Sequence, residues 1–287
     1  MKKIARLGLI WLAASFLGCK DEPEQIPAYI QLEPYTVNAP GGLAWQKLPF
    51  AWVYVNTLPV GAYSPGKPFP VLAEGEADVV VFPGINANGI AETPDLYPFL
   101  VRYDTKATLT PGQTTILRPE TRYDPDVKAP WADRGEFDGS TLVFEDIDQD
   151  LATSITFDGD GAYAGRSARL VVDTAHALMA VGTEWVAGLP VTGDREVWME
   201  MHYRNDVPFE MYVFGRNSFG NETSQPVFLF QPKTEWNKIY FNLTEVLTTS
   251  TQEEYRVVFR LQLPYDGTKF TRNEATVRLD NLRLLHF

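Results

Sequence analysis

Residues 255–263 have the sequence YRVVFRLQL. All odd-numbered positions of this stretch are apolar or aromatic, whereas the even-numbered positions include two arginines and a glutamine. This period of two is typical of a β-strand with one face on a core, because successive side chains point to opposite faces. Similar stretches, separated by Gly, Pro, Asn and Asp, recur after residue 135. This part of the chain is therefore predicted to be a two-sheet jelly roll.

The composition is that of a folded protein with an acidic surface. The chain has 287 residues, of which 45% are hydrophobic and 13% aromatic, and its formal net charge is −12. Phosphate backbones would be repelled by this charge, so nucleic acid is excluded as a partner. A single cysteine excludes a disulfide framework and a cysteine-based zinc site.

Shorter strands occupy the segment before residue 125. Turn signals such as 40–42 (PGG), 88–89 (NG) and 111–112 (PG) separate them. This rhythm predicts a small β-sandwich at 26–125. Pro125 and Pro130 then interrupt the pattern, because proline cannot sit in a central strand. We therefore place a domain boundary at 125, with a jelly-roll domain at 126–287.

The first residues have the pattern of a lipoprotein signal peptide. Three cations, Lys2, Lys3 and Arg6, precede the apolar stretch 7–18 (LGLIWLAASFLG). Twelve residues are too few to span a bilayer. The stretch 16–19 (FLGC) resembles a lipobox, which predicts cleavage after residue 18 and acylation of Cys19. The alternative is an ordinary secretory signal with a chance cysteine.

The acidic stretch 20–24 (KDEPE) follows the predicted lipid attachment site. It resembles the export signal of Bacteroidota lipoproteins, which implies that 19–25 is an acidic tether and that the protein reaches the outer face of the outer membrane. Outer-membrane lipid would then be a partner through acylated Cys19. The alternative is a solvated polar tether without an export function.

Strand alternation also predicts an outward-facing binding surface on the jelly roll. Its candidate ligand-binding residues are Trp198, His202, Tyr212, Tyr240, Arg256 and Arg260. Flat aromatic rings beside hydrogen-bonding groups suit a polysaccharide or a protein partner such as an outer-membrane barrel. The alternative is a solvated sheet face with cross-strand Arg–Glu pairs.

Catalytic motifs are missing from the sequence. There is no G-x-S-x-G, H-E-x-x-H or P-loop pattern, and the three histidines, His176, His202 and His286, have no zinc-binding spacing. A non-catalytic binding protein is therefore the leading hypothesis, and an accessory subunit of an outer-membrane complex is its alternative. Two carboxylates on distant strands leave no linear motif, so a carbohydrate hydrolase is a third alternative.

Two further sites are predicted near individual aspartates. The apolar positions change phase across Asp280 and Asn281, which indicates a β-bulge or an inward carboxylate. A buried aspartate needs a partner, and structural Ca²⁺ shared with Glu136 or Asp138 would provide one. The stretch 173–175 (DTA) resembles a Bacteroidota O-glycosylation site at Thr174.

The N-terminal segment resembles a family of uncharacterised Bacteroidota surface lipoproteins over about residues 26–123. The stretches that carry this resemblance are 50–56 (FAWVYVN), 59–63 (PVGAY), 68–75 (PFPVLAEG), 83–90 (PGINANGI) and 97–99 (YPF). It implies an Ig-like or carboxypeptidase-regulatory-like sandwich and brings no established activity.

The C-terminal segment resembles galactose-binding-type jelly rolls and carbohydrate-binding modules. The stretches 160–170 (DGAYAGRSARL), 236–243 (WNKIYFNL) and 279–284 (LDNLRL) carry this resemblance. It implies glycan binding and places Asp280 where such modules often hold a structural calcium ligand. A fold shared by many functions does not by itself specify one.

Overall fold

A computed structural model describes residues 24–90, 94–141, 143–190 and 195–287. The predicted signal peptide and Cys19 lie outside these residues. The described chain is built almost entirely of β-strands, which confirms the predicted all-β class. Its helical segments are short: two 3₁₀ helices, Gly42–Trp45 and Ala132–Glu136, and one α-helix, α1, Thr244–Ser250.

Strands before residue 125 pair only with one another and form three sheets within the described chain. The first sheet has the order β5-β1-β9 and contains β1 (Ala28–Leu32), β5 (Pro68–Val71) and β9 (Thr114–Leu117). The second pairs β2 (Thr36–Val37) with β10 (Glu120–Thr121). The third has the order β4-β3-β6-β7, with β8 also on β6; its strands are β3 (Phe50–Val55), β4 (Leu58–Tyr63), β6 (Gly75–Asn86), β7 (Pro94–Leu96) and β8 (Tyr103–Leu109).

The β3–β4 hairpin turn differs from the usual Asp-Gly pattern. Asn56 and Thr57 occupy its centre, and both have positive φ angles, 49° and 69°. A two-residue turn with this geometry matches the right-handed twist of the flanking strands. Asn56 also accepts a hydrogen bond from the Asp78 amide through its side chain, at 3.0 Å. That bond ties the turn to β6.

Strands after residue 143 form two facing sheets. One, here called the open sheet, has the order β11-β14-β20-β17-β18, with β15 also on β20. Its strands are β11 (Phe144–Asp146), β14 (Leu178–Thr183), β15 (Val186–Ala187), β17 (Phe209–Arg216), β18 (Glu222–Phe230) and β20 (Glu254–Gln262). The other, here called the covered sheet, has the order β12-β13-β21-β16-β19; its strands are β12 (Thr156–Asp158), β13 (Ser167–Asp173), β16 (Val197–Asn205), β19 (Lys233–Asn242) and β21 (Glu274–His286).

The facing surfaces of these two sheets enclose the larger hydrophobic core. The odd positions of β20, including Val257, Phe259 and Leu261, are buried in it, as the alternation in 255–263 predicts. On the opposite sheet, Met199, Met201 and Phe241 project into the same core. Burial of these large side chains supplies most of the stabilisation of such a sandwich.

A bulge interrupts β21, as the phase change across Asp280 and Asn281 indicates. The β16–β21 register shifts between Glu200 and His202, and Asn281 has a φ of 48°. Because of this bulge, Leu279 and Leu282 both reach the core, whereas Asp280 faces the other side of the sheet. A bulge bends the strand and redirects one side chain, and here that side chain is a carboxylate.

The two sandwiches are in direct contact. The smaller hydrophobic cluster combines N-terminal strands with Trp198, Tyr240 and Leu285 from the outer side of the covered sheet. Backbone contacts also join the halves: the Asn88 amide donates to the Tyr240 carbonyl at 2.8 Å, and Ala87 forms a β-bridge with Tyr240. The outer side of the covered sheet is therefore a second buried face.

In the part of the chain that the structure describes, no helix has the length and apolar character needed to cross a membrane.

Candidate functional site

The outer side of the open sheet is the accessible face of the C-terminal sandwich. Register places Arg260 opposite Glu210, and Glu210 opposite Leu229 on the next strand. Arg260 and Glu210 approach to 3.5 Å, and both side chains are partly exposed. Tyr212 lies two residues after Glu210 on the same face of β17 and is half-buried. This face therefore presents a charged pair, an aromatic ring and an apolar side chain on three neighbouring strands.

A groove of about 450 Å³ lies at one end of this face. We call it the end groove; it is lined by Pro208, Phe209, Glu210, Leu229, Arg260, Gln262, Leu263, Pro264 and Tyr265. The Tyr265 side chain is 55% exposed and Leu229 is 51% exposed. Large apolar or aromatic side chains that remain open beside polar groups are typical of binding surfaces.

The segment that carries Tyr265 is held by local hydrogen bonds. The Asp266 carboxylate accepts hydrogen bonds from the Thr268 hydroxyl at 2.7 Å and from the Lys269 and Thr268 amides at 3.0 and 2.9 Å, and these bonds lower its pKa. The Thr271 amide donates to the Pro264 carbonyl at 2.9 Å, and the ring of Phe270 packs edge-on against Tyr265 at 5.5 Å. Tyr265 is thus positioned before any ligand arrives, which reduces the entropy lost on binding.

The opposite end of the open face is occupied by a cation–π stack. Arg216 and Arg256 both contact the Trp185 ring, with their guanidinium carbons 4.3 and 4.4 Å from its centre. Arg256 also pairs with Glu222 at 3.5 Å, and its side chain is only 10% exposed. The prediction that Arg256 is available to a ligand is wrong, because protein groups cover its guanidinium. Arg260 and Tyr212 remain accessible on this face.

The predicted exposure of Trp198, His202 and Tyr240 is also wrong. All three project from the outer side of the covered sheet, as alternation predicts, but they are buried. Tyr97 of the N-terminal sandwich packs against Trp198 and Tyr240, with ring centres 5.8 and 4.8 Å apart. Trp198 and Tyr240 therefore help to hold the two sandwiches together.

A buried carboxylate lies at the centre of this junction. Glu200 is fully buried and accepts hydrogen bonds from the hydroxyls of Tyr97 and Tyr123 at 3.1 and 2.6 Å. The Lys238 ammonium is 3.3 Å away and an Arg283 guanidinium nitrogen is 3.9 Å away. Burial and the nearby carboxylate raise the pKa of Tyr97 and Tyr123 well above 10, so both hydroxyls stay protonated and donate. Burial also lowers the pKa of Lys238.

His202 and Asp280 lie beside each other on the same covered side. The Tyr163 ring stacks on the His202 imidazole with ring centres 3.9 Å apart, and burial lowers the pKa of His202 to about 2. Asp280 accepts hydrogen bonds from the amides of Tyr163, Ala164 and Asn281 at 2.8–3.2 Å. Burial nevertheless raises the pKa of this carboxyl to about 7. The loop around residue 163 therefore caps a polar pair.

The three predicted calcium ligands have protein partners. Glu136 pairs with Arg283 at 2.8 Å, and Asp138 accepts a hydrogen bond from the Arg166 amide at 2.8 Å. Asp280 is engaged by three backbone amides, as described above. Among the described residues, no group of three or more His, Cys, Asp or Glu side chains has an arrangement suited to a metal ion. Calcium binding at these carboxylates therefore stays a prediction.

The modification sites also stay predictions. Thr174 is exposed in a tight turn, where the Asp173 carboxylate accepts hydrogen bonds from the amides of Ala175 and His176, both at 2.8 Å. Exposure leaves its hydroxyl accessible to a modifying enzyme. Cys19 lies outside the described residues.

One groove residue, Tyr265, was not among the residues that the sequence suggested for the ligand site. Tyr265 lies in the turn stretch 264–267 (PYDG), directly after the strand 254–262. An aromatic residue in a turn lies outside the strand alternation that fills the core, so its position in the turn is the sequence feature that indicates an exposed ring. Gln262 is the even-numbered polar position of the opening stretch that lies nearest to the turn.

No protein-family profile and no curated protein matches this chain. Similar solved structures include the CBM22-1 xylan-binding domain from Paenibacillus barcinonensis, with 14% identity, coverage of 53% of this chain and 91% of that one, and a TM-score of 0.38. A family 11 carbohydrate-binding module of Clostridium thermocellum has 10% identity, coverage of 55% and 93%, and a TM-score of 0.38. The enzymatically active domain of tailspike protein 4 from bacteriophage CBA120 has 10% identity, coverage of 61% and 25%, and a TM-score of 0.40. Likenesses at this level do not bear on the ligand of this chain.

Proposed function

We propose that this protein is a non-catalytic glycan-binding module that takes its ligand in the end groove. The observation that carries the proposal is the pre-positioned, exposed Tyr265 ring beside the partly exposed Arg260–Glu210 pair and Gln262. A sugar ring offers an apolar face of C–H groups and a rim of hydroxyls. The aromatic ring supplies a surface for the first, and the charged and amide groups supply donors and acceptors for the second.

The groove lining supports a binding role over a hydrolytic one. Glycoside hydrolysis uses two carboxyl groups on either side of the scissile bond. Glu210 is the one acidic residue among the described residues that line the groove, and Arg260 pairs with it at 3.5 Å. The groove therefore lacks the pair of carboxyl groups that this chemistry needs.

The location of this module is a second part of the proposal. Acylated Cys19 would anchor the protein in the outer membrane, and the acidic tether 19–25 would hold the sandwiches outside the cell. Several acyl chains on one residue anchor a protein stably, whereas one chain does not. Labelling with a palmitate analogue should mark the wild-type protein and leave Cys19→Ser unmarked. Labelling that persists in the variant would refute lipid attachment at this residue.

The binding proposal is tested with a glycan panel and three variants of the full chain, purified in detergent. Tyr265→Ala and Arg260→Ala should each weaken the binding of a panel ligand by about tenfold or more, which corresponds to about 1.4 kcal/mol. Phe219→Ala is the matched control, because Phe219 is 88% exposed in the turn that follows the other end of β17. It should bind like the wild type. Absence of binding across a broad panel, or equal losses in all three variants, would refute the proposal.

A further inference from the structure

A second cavity, of about 280 Å³, lies where the two sandwiches meet. We call it the junction pocket; it is lined by Lys47, Asn86, Gly89, Tyr203, Phe228, Leu229, Gln231, Lys233, Asn237, Lys238, Ile239 and Tyr240. Its two sides are fixed to each other, because the Lys47 amide donates to the Tyr240 hydroxyl at 3.0 Å and the Asn88 amide donates to the Tyr240 carbonyl. This volume is near the lower end of the range for small-molecule sites.

The charge of the junction pocket is opposite to that of the chain. Three lysines line it, and the lining contains no acidic residue among those the structure describes, although the chain as a whole has a net charge of −12. Lys238 is compensated by Glu200 at 3.3 Å. Lys47 donates to the neutral Asn237 side chain at 2.8 Å. Within the described residues, neither Lys47 nor Lys233 forms an ion pair.

Two of these cations affect each other. Partial burial, together with the positive charge of Lys233, lowers the pKa of Lys47. Like charges that share a site without an anion between them repel, and an anionic ligand placed between them would remove this cost. The pocket is thus electrostatically prepared for a negatively charged group.

The remaining lining adds neutral hydrogen-bonding groups. The Asn86 side-chain oxygen is buried and has no hydrogen-bond partner. A buried acceptor left unpaired costs free energy. Gln231, Asn237 and Tyr203 supply further amide and hydroxyl groups, while Phe228 and Ile239 give an apolar wall. A cationic pair, several amides and an apolar wall suit a ring that bears hydroxyls and one anionic substituent.

We infer that the junction pocket binds an acidic sugar unit, with its carboxylate or sulfate group between Lys47 and Lys233. This inference rests on the proposed glycan-binding function and adds a second subsite with its own selectivity. Lysine is a point charge with rotatable donors, so it accepts either a carboxylate or a sulfate. The shared chemistry is an anionic oxygen group on a sugar ring.

The test measures binding of galacturonate trimer, a sulfated galactose oligosaccharide and neutral galactotriose to the full chain by isothermal titration calorimetry. At least one acidic ligand should bind tenfold or more tightly than the neutral one, and this preference should decrease as salt rises. The two acidic ligands distinguish a carboxylate from a sulfate. Lys47→Met and Lys233→Met should each reduce the preference by at least fivefold.

Lys67→Met is the matched control, because Lys67 is an exposed lysine of the N-terminal sandwich away from this pocket. The three substituted lysines, Lys47, Lys67 and Lys233, are exposed, so the variants should keep the wild-type thermal midpoint. Equal affinity for acidic and neutral sugars would overturn the inference, as would an acid preference that survives the Lys47→Met/Lys233→Met double change. If Arg260→Ala still abolishes neutral-glycan binding in that case, the proposed function stands and only the junction subsite fails.

Discussion

Replacing Glu200 by glutamine tests whether the buried charge network holds the two sandwiches together. The change keeps the side-chain shape but removes the negative charge that lies 3.3 Å from the Lys238 ammonium. Lys238 is buried, so its charge would be left without a compensating anion, whereas Arg283 keeps its own partner in Glu136 at 2.8 Å. Removing one member of a buried ion pair typically costs about 3–5 kcal/mol. Glu200→Gln should lower the free energy of unfolding by this amount at pH 7.

The pH dependence of this loss identifies its cause. Burial already lowers the pKa of Lys238, and removing Glu200 lowers it further. An ammonium that can lose its proton no longer needs a counter-ion, so the destabilisation should shrink as pH rises from 7 to about 9.5. A variant that merely disturbed packing would be destabilised equally at both pH values. Urea unfolding followed by tryptophan fluorescence at the two pH values measures the difference.

Two further variants complete the experiment. Glu76→Gln removes an exposed partner of Lys106, 3.1 Å away on the N-terminal sandwich, and should cost less than about 1 kcal/mol. The double change Glu200→Gln/Lys238→Met removes both charges and should be more stable than Glu200→Gln alone. If Glu200→Gln is as mild as Glu76→Gln, or if the double variant is no more stable than the single one, the reasoning about this network is refuted.

Two other predictions concern the covered side of the jelly roll. Because burial raises the pKa of Asp280 to about 7 from 3.8, the folded protein retains a proton that the unfolded chain loses, so this carboxyl's contribution to stability is present below about pH 4 and is lost as pH rises through 7. In the wild type, the contribution of Asp280 to the free energy of unfolding should fall by at most about 4 kcal/mol between pH 4 and pH 7, and Asp280→Asn should not show this fall. Urea unfolding of both proteins at several pH values measures it. A difference between variant and wild type that stays constant with pH would contradict the prediction. Gly135→Ala should destabilise the fold by more than about 2 kcal/mol, since a Cβ there would lie 1.8 Å from the Leu282 carbonyl oxygen. Gly139→Ala is its control, with no atom closer than 4.0 Å, and equal thermal midpoints for the two variants would show that the close approach does not matter.

The sequence was sufficient to predict which residues face the core in strands whose two faces differ in polarity. In β20 and β17, alternation identifies the core side and the outer side of each residue, because one face meets the other sheet and one meets water. β14 has no such pattern: its sequence, LMAVGT, contains small residues and has no polar alternation to mark it. It lies between β11 and β20 in the open sheet, where Gly182 leaves room for the Arg256 side chain.

Alternation failed to predict what covers the second sheet. β16 has the sequence VWMEMHYRN, in which aromatic residues occur on both faces. Such strands are typical of sheets buried on both sides. Whether Trp198 meets solvent or Tyr97 depends on how a separate sandwich docks, about 100 residues earlier in the chain. No local pattern contains that information, so a correct orientation led to a wrong prediction of exposure.

The burial of the covered sheet also determines where a ligand can bind on the C-terminal sandwich. The outer side of β16 has apolar and charged residues that need partners, and the N-terminal strands provide them through Tyr97 and Tyr123. The same docking creates the junction pocket, since Lys47 and Asn86 come from one sandwich and Lys233 from the other. The N-terminal sandwich therefore does more than separate the jelly roll from the predicted tether. It covers the outer side of the covered sheet and leaves the open sheet, with the end groove, accessible. It also supplies half of a cationic site that neither sandwich forms alone.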